Sequence, residues 1–244
     1  GPNQGWWFSV HTTDVDGDGD LDVLTGNLGL NSQFKASAEA PSEVWYADFD
    51  GNGVMDPILT TQYADGVFPV PTRDQLVDQI PAFRSRVFYY DNYARMPIEA
   101  LLTEEERTSA QRKIATTFAS CWWENDGTGS FTRHVLPNRF QLAPILTWEV
   151  LPTEEGAPWL LAAGNWRCAD VMSGTYDAGN GIMARWSAQQ KDWHILSIAE
   201  QGFFIPGEVR NMLRLSTAKG DHLIVGQNDE PVAVFSHTIT TVTP

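Results

Sequence analysis

Residues 14–22 read DVDGDGDLD, and residues 48–56 read DFDGNGVMD. The two stretches share Asp at positions one, three and nine, Asp or Asn at position five, and Gly at positions four and six. Asp, Asn and Gly favour turns by themselves, so an acidic turn without any ion is the simplest interpretation. Crowded carboxylates repel one another, however, and the same spacing occurs twice. The spacing therefore predicts two cation-binding loops.

Oxygen atoms at alternate positions of a tight loop are typical of a calcium site. Ca²⁺ takes about six to eight oxygen ligands, a glycine at position six permits the sharp turn, and position seven contributes its backbone carbonyl. An EF-hand would need Glu at position twelve, where this chain has Thr25 and Leu59. We predict two Ca²⁺ ions. The predicted ligands are Asp14, Asp16, Asp18, Asp20 and Asp22 in the first loop, and Asp48, Asp50, Asn52, Val54 (through its carbonyl) and Asp56 in the second.

Short β-branched and aromatic runs, each bounded by Gly, Asn, Asp or Pro, predict an all-β fold. Gly-containing turns at 125–131 and 218–221 predict antiparallel pairing of the strands beside them. The predicted strands are 7–13, 22–26, 43–47, 57–62, 117–124, 131–136, 145–151, 159–163, 182–187, 193–197, 210–216, 222–226 and 232–236.

One segment, 72–113, has helical rather than strand spacing. Thr72 with Gln75 and Thr103 with Glu106 fit the capping box, which predicts two helix starts. The composition of the segment is typical of interface hot spots, with the aromatic residues Phe83, Phe88, Tyr89, Tyr90 and Tyr93 among the arginines Arg84, Arg86 and Arg95. It is either a binding surface or a helical cap whose aromatic side chains fill one end of the fold.

Repeated short strands predict a β-propeller, or the terminal blades of one, as a single domain over 1–244 with the helical insertion at 72–113. Without the insertion the remaining 202 residues suffice for four or five blades of about 40–45 residues. The glycines at position six of the two loops are 34 residues apart, which is shorter than a blade. The loops are therefore expected within one blade or across an irregular one.

Composition excludes several classes of partner. The chain of 244 residues carries 31 acidic and 16 basic side chains, a formal charge of −15, which disfavours nucleic acid and anionic membranes. No apolar run approaches the ~18 residues needed to cross a bilayer.

Gly1-Pro2 is similar to a protease-cleavage scar, so we expect a piece of a longer chain.

Other catalytic signatures are missing from the sequence. It has no His-Glu-x-x-His, no Gly-x-Ser-x-Gly and no phosphate-binding Gly-Lys-Ser/Thr. Core packing is the commoner role of tryptophan, but a sugar-binding platform could form from Trp122, Trp123, Trp148, Trp159, Trp166, Trp186 and Trp193. One ring of each tandem pair, Trp6-Trp7 and Trp122-Trp123, is expected in the core. Cys121 and Cys168 could form a bridge, although two buried free thiols are favoured.

The two loops, together with the turn NDGTGSF at 125–131, resemble the FG-GAP or VCBS repeats of β-propellers such as that of integrin α-subunits. GWW at 5–7, GNLGLN at 26–31 and RDQL at 73–76 are similar to the C-terminal part of long bacterial FG-GAP proteins. The resemblance implies that the calcium loops stabilise the fold at one rim of the propeller. Residues 151–159 have the same frame but lack most ligands, which predicts an ion-free turn and two ions rather than three.

Function is expected to be non-enzymatic binding of an extracellular protein or a glycan. Millimolar extracellular calcium would saturate even weak loops, and the resemblance implies a secreted, periplasmic or surface-anchored bacterial protein. The alternatives are a calcium-dependent polysaccharide lyase or hydrolase, and a purely structural part of a larger envelope assembly.

Overall fold

The computed structural model describes residues 3–153, 156–169, 173–218 and 220–237. The chain divides into two compact units. Unit 1 comprises Phe34–Thr117 with the residues before Trp6, and unit 2 comprises Trp6–Gln33 and the chain from Phe118 onward. In the described part of the chain, no helix is both long and apolar enough to cross a membrane.

Unit 2 contains three antiparallel sheets. Its strands are β1 (Ser9–Thr13), β2 (Asp22–Gly26), β7 (Cys121–Asn125), β8 (Phe131–Val135), β9 (Ile145–Leu151), β10 (Trp159–Gly164), β11 (Ile182–Ser187), β12 (Asp192–Ile195), β13 (Val209–Thr217), β14 (Gly220–Gln227) and β15 (Ala233–His237). The strand order is β1-β2-β7-β8 in the first sheet, β12-β11-β10-β9 in the third and β13-β14-β15 in the fourth. The second sheet lies in unit 1. A short helix, α5 (Ile198–Gln201), and a 3-10 helix (Asn138–Gln141) complete the unit.

The third sheet packs on both of its faces because side chains alternate along a strand. Leu160 of β10 faces the core shared with Leu24 and Trp122 of the first sheet. Leu161, the next residue, faces the core shared with Leu223 of the fourth sheet. Unit 2 is thus a stack of three sheets with an apolar layer on either side of the middle one.

Unit 1 consists of the second sheet and a set of short helices. The sheet order is β5-β4-β3-β6, from β3 (Ser42–Ala47), β4 (Asp56–Tyr63), β5 (Gly66–Pro69) and β6 (Gln111–Ala115). The helices are α1 (Arg73–Gln79), a 3-10 helix (Pro81–Ser85), α2 (Tyr90–Tyr93), α3 (Ile98–Leu101) and α4 (Glu104–Ser109). They bury Leu76, Phe83, Ile98 and Leu101 against Ile58 of β4.

The whole of unit 1 after Gln33 lies in the chain between β2 and β7, two strands that pair directly in the first sheet. Val23 pairs with Trp123 and Thr25 with Cys121. The two loops therefore belong to different sheets, one of which is inserted in the sequence of the other. This insertion explains why their spacing is shorter than a blade.

The all-β fold class is confirmed, with strands at every predicted position. β5 and β6 were not predicted, residues 117–120 precede β7 rather than belonging to it, and the predicted helical segment ends at 109 because 111–113 start β6. Both predicted capping boxes, at Thr72 and Thr103, are present. The single-domain prediction stays a prediction.

Tryptophan packing matches the core interpretation better than a platform. Trp122 is fully buried, and its ring centroid lies 5.0 Å from that of Trp186 and 5.8 Å from that of Trp193. Trp123 on the other face is half-buried, and so are both Trp6 and Trp7. The prediction of one core ring per pair is confirmed for 122–123 and wrong for 6–7, which precede β1.

The two cysteines are both free. Cys121 is buried, and burial raises the pKa of its thiol to about 11. Cys168 is exposed, so the prediction of two buried thiols is wrong for it. Cys168 lies outside the strands, four residues after the end of β10.

Candidate metal centres

The first loop, residues 14–22, connects β1 to β2. Gly17 and Gly19 have positive φ angles of 83° and 100°, which glycine adopts without strain. Both oxygens of Asp14 accept backbone N–H groups, Oδ1 from Gly17 at 2.7 Å and Oδ2 from Gly19 at 3.0 Å. Asp16 Oδ1 accepts from the nitrogen of Asp18 at 3.2 Å. The acidic side chains are thereby folded back over the loop.

The second loop, residues 48–56, connects β3 to β4 and repeats this network. Asp48 Oδ2 accepts from the nitrogen of Gly53 at 2.8 Å, and Asp50 Oδ1 accepts from that of Asn52 at 3.2 Å. Asn52 Oδ1 accepts from the nitrogen of Val54 at 2.7 Å. In each loop the side chains at positions one, three and five bond to the nitrogens at positions six, five and seven. Two sequences that differ at four positions thus adopt one local structure.

Carboxylates converge in both loops. In the first loop, oxygens of Asp14, Asp16 and Asp18 lie within 4.8 Å of one another, and in the second loop oxygens of Asp48, Asp50 and Asp56 do the same. Within the described ranges, no other three His, Cys, Asp or Glu side chains converge as closely. Among the described residues, these two carboxylate clusters thus coincide with the two predicted loops.

Position nine of each loop is a buried aspartate that ties the loop to its strand. Asp22 Oδ2 accepts from the nitrogen of Val15 at 2.9 Å, and Asp56 Oδ2 accepts from that of Phe49 at 3.0 Å. Asp22 Oδ1 also accepts from the nitrogen of Asn125 at 2.8 Å. Desolvation raises the pKa of both aspartates above the ordinary value, partly offset by these hydrogen bonds.

The structure separates the ligands predicted for the first loop. Asp20 Oδ2 lies 2.5 Å from where a Cβ of Gly127 would stand, so this carboxylate is directed at the turn between β7 and β8. Asp20 has position seven, where only the backbone carbonyl is required. At the matching position Val54 exposes 62% of its side chain. Asp14, Asp16 and Asp18 converge, while Asp22 is bonded to backbone through both oxygens.

Electrostatics in the first loop favour a cation. Burial raises the pKa of Asp16, and the neighbouring carboxylates of Asp18, Asp22 and Asp14 raise it further, while the hydrogen bond from Asp18 lowers it. Each added negative charge thus makes the next one less favourable. A divalent cation among these oxygens would remove that repulsion.

The donor set fits Ca²⁺ in kind. All the converging atoms are hard carboxylate oxygens, and neither cluster includes the sulfur or imidazole nitrogen that zinc prefers. The amide oxygen of Asn52 and the backbone carbonyls at position seven are further oxygens of the same kind. Each loop offers these oxygens from a single hairpin, so all of them come from one unit.

Two other turns were singled out in the sequence. The 125–130 turn is closed by Asp126 Oδ1, which accepts from the nitrogens of Thr128 at 2.9 Å and Ser130 at 3.2 Å. These bonds and that of the Thr128 hydroxyl hold the pKa of Asp126 below its usual value. The predicted ion-free turn at 151–159 includes residues 154–155, which lie outside the described residues, so it stays a prediction.

One contact could not be found from the sequence. The backbone nitrogen of Asn125 reaches Asp22, and its side-chain nitrogen donates to the carbonyl of Leu21 at 3.1 Å. The first loop is therefore held by the β7–β8 turn, which comes about one hundred residues later in the chain. A backbone donor has no signature in the sequence, although the 125–131 motif itself was recognisable.

Part of the chain is similar to a known family of protein repeats. A model of the FG-GAP repeat family matches residues 6–37, which contain β1, the first loop and β2. FG-GAP repeats form β-propellers and their domains are typically non-catalytic. Among curated proteins, none matches the chain.

Proposed function

We propose that this chain is a non-enzymatic β-propeller-like module that binds two Ca²⁺ ions and recognises an extracellular protein or glycan. The single observation that carries the calcium proposal is the duplicated loop. Two hairpins with different sequences have the same pattern of hydrogen bonds, and each contains its own cluster of three carboxylates. The FG-GAP match over the first loop supports the same conclusion.

In this proposal the ions stabilise the fold. Each loop joins two neighbouring strands of one sheet, and position nine anchors it to the strand that follows. Neutralising the carboxylates would remove repulsion that otherwise opposes the closed loop. Neither loop is flanked by a helix pair that calcium could open, so a switch of the EF-hand kind has no element to act on.

A location outside the cytosol follows from the affinity expected of such loops. They are short, and each cluster contains an exposed aspartate, Asp18 in the first loop and Asp48 in the second. Extracellular calcium modules work at about 10⁻⁴–10⁻³ M, well above cytosolic concentrations. We propose a secreted, periplasmic or surface-exposed bacterial protein.

The proposed partner surface lies on the helical segment of unit 1. Phe88, Tyr89 and Tyr90 are consecutive and each exposes more than 60% of its surface. The Phe88 and Tyr89 rings meet edge to face at 4.9 Å, and Arg73 lies 4.6 Å above the ring of Tyr90. These aromatic side chains are held in place before any partner binds, which lowers the entropy cost of binding.

The enzymatic alternative receives no support from the described residues. Glycosidases need two carboxyl groups on either side of the bond that is broken. A cavity between the third and fourth sheets is lined by one carboxylate, Asp221. We therefore keep the binding proposal alone.

The first test is metal analysis of the purified protein together with thermal unfolding in EDTA, Ca²⁺ and Mg²⁺. We expect two bound calcium ions and a calcium-specific rise in Tm, because a ligand that binds only the folded state stabilises it. The double variant Asp16→Ala, Asp50→Ala should lose most of this rise, whereas the exposed control Asp78→Ala should keep it. A calcium-independent Tm in the unaltered protein would refute the metal proposal.

The partner surface is tested separately on a glycan array and with defined extracellular proteins. Phe88→Ala with Tyr89→Ala should abolish binding if this surface is used. Tyr63→Ala, which removes another exposed aromatic ring of unit 1, is the matched control. Binding that is unchanged in the double variant would place the partner elsewhere.

A further inference from the structure

A cavity lies between the third and fourth sheets of unit 2. Its volume is about 240 Å³, somewhat below the roughly 300–1,000 Å³ of sites for drug-sized ligands. Apolar side chains from both sheets and from the α5–β13 connection form most of its wall. They are Leu151, Leu161, Met183, Phe203, Leu223 and Phe235.

An arginine interrupts this apolar wall. Arg214 pairs with Leu223, which in turn pairs with Phe235, so the three lie in one row on the face of the fourth sheet that is turned towards the third. Arg214 is half-buried, yet within the described chain its guanidinium forms no ion pair. A charged head placed beside apolar side chains without a partner is costly, and an anion would offset that cost.

Two carboxylates lie near Arg214, and neither forms an ion pair with it. Asp221 lines the same cavity and is two residues before Leu223, hence on the same face. Glu149 accepts a hydrogen bond from the backbone nitrogen of Arg214 at 3.0 Å. His222 and Ser236 also line the cavity, and 3.3 Å separates Nδ1 of His222 from Oγ of Ser236. The cavity thus presents one positive and one negative side chain beside an apolar floor.

From this arrangement we propose that the cavity binds a small zwitterion with an apolar side chain, such as a free aliphatic α-amino acid. Its carboxylate pairs with Arg214, its ammonium group with Asp221, and its side chain contacts Leu161, Leu223 and Phe235. A plain anion would meet the negative field of Asp221, and a plain cation that of Arg214, so only a ligand with both charges satisfies both groups. The proposal is independent of the calcium loops.

The test is calorimetric titration of the calcium-loaded protein with four probes of graded chemistry. L-leucine should bind saturably, in about the millimolar range. The probes 4-methylpentanoate, which lacks the ammonium group, 3-methylbutylamine, which lacks the carboxylate, and L-serine, which lacks the apolar side chain, should each bind at least about tenfold more weakly. Absence of leucine binding, or equal binding of any one of the other three, would overturn the proposal.

Three cavity variants locate the site. Arg214→Gln and Asp221→Asn should each weaken leucine binding about tenfold or more. Arg185→Gln and Asp192→Asn alter charges of the third sheet outside the cavity and should leave it unchanged. Met183→Trp fills the cavity and should abolish binding while far-ultraviolet circular dichroism verifies the fold. Leucine binding that survives all three cavity variants would contradict the assignment.

Discussion

Single aspartates in the two loops have three different roles, although the sequence presents them as one pattern. Asp14, Asp16 and Asp18 converge and form the proposed cation site. Asp22 instead bonds two backbone nitrogens, and Asp20 is turned towards Gly127. Position nine differs between the loops, because Asp56 belongs to the carboxylate cluster of the second loop whereas Asp22 lies outside that of the first.

Asp16→Asn should have opposite effects with and without calcium. The pKa of Asp16 is raised, so the folded state disfavours its charged form, and removing the charge should raise Tm in EDTA at pH 7. This gain in Tm should disappear as the pH falls below 3.8, the ordinary pKa of the aspartate, because Asp16 is then protonated in both the folded and the unfolded state. In calcium the variant should be less stable than the unaltered protein, because it loses a ligand charge. Differential scanning calorimetry in both buffers measures this, and a gain in both would contradict the cation site.

Asp22→Ala should destabilise the metal-free protein more than Asp56→Ala does. The first substitution leaves the nitrogens of Val15 and Asn125 without their acceptor, whereas the second leaves only that of Phe49. Each buried donor without a partner costs about 1–3 kcal/mol. Urea unfolding in EDTA separates this structural role from any role in metal binding. Equal costs for the two variants would show that the contact with Asn125 contributes nothing.

At the scale of elements, the sequence predicts strands well and their pairing poorly. Alternation and turn residues located thirteen strands, including β9 and β11 with their observed ends. β5 was missed because Gly66–Pro69 is short and ends at a proline, and β6 because its residues follow a helix and are mostly exposed. The pairing of β2 with β7 spans about one hundred residues, and no local pattern encodes such a contact.

Gly26→Ala should disrupt the packing of the first sheet on the third. A Cβ at this position would lie 2.1 Å from the carbonyl oxygen of Ile145 and 2.3 Å from the hydroxyl of Ser9. Because the obstacle is backbone, relief requires the sheets to move apart, and we expect a loss of about 3 kcal/mol or more. Gly129→Ala, where the same atom meets open space and only the positive φ opposes it, should cost about 1 kcal/mol. Chemical unfolding of both variants decides whether the close approach matters.

Glu106→Gln should remove a pH-dependent contribution to the stability of unit 1. Arg86 donates two hydrogen bonds to Glu106, at 2.7 and 2.8 Å, and these lower the pKa of the carboxyl below its ordinary value of 4.5. A lowered pKa contributes stability that is present above pH 4.5 and lost as the pH falls through the folded-state value. The variant should therefore be about 1 kcal/mol less stable at pH 7 and equal to the unaltered protein in strong acid. Glu105→Gln on the same helix serves as the control, and a pH-independent difference would contradict the ion pair.

On the scale of the molecule, the main feature is a sheet inserted within the sequence of another. Unit 1 has its own core around Ile58, Leu76 and Phe83, while the cores of unit 2 lie on either side of the third sheet. Each unit also carries one acidic loop. The two proposed ions are therefore expected to act on different cores.

Hydrogen exchange measured by mass spectrometry tests this division. Calcium should slow exchange in both hairpins, β1 to β2 and β3 to β4, because each loop closes the pair of strands that it joins. Asp50→Asn should remove the protection of residues 42–63 and leave that of residues 9–26, and Asp16→Asn should do the reverse. Since β2 pairs with β7, protection lost through Asp16→Asn should extend to residues 121–125, but not to β4. If either variant removed protection from both hairpins, the ions would act on one cooperative structure rather than on two.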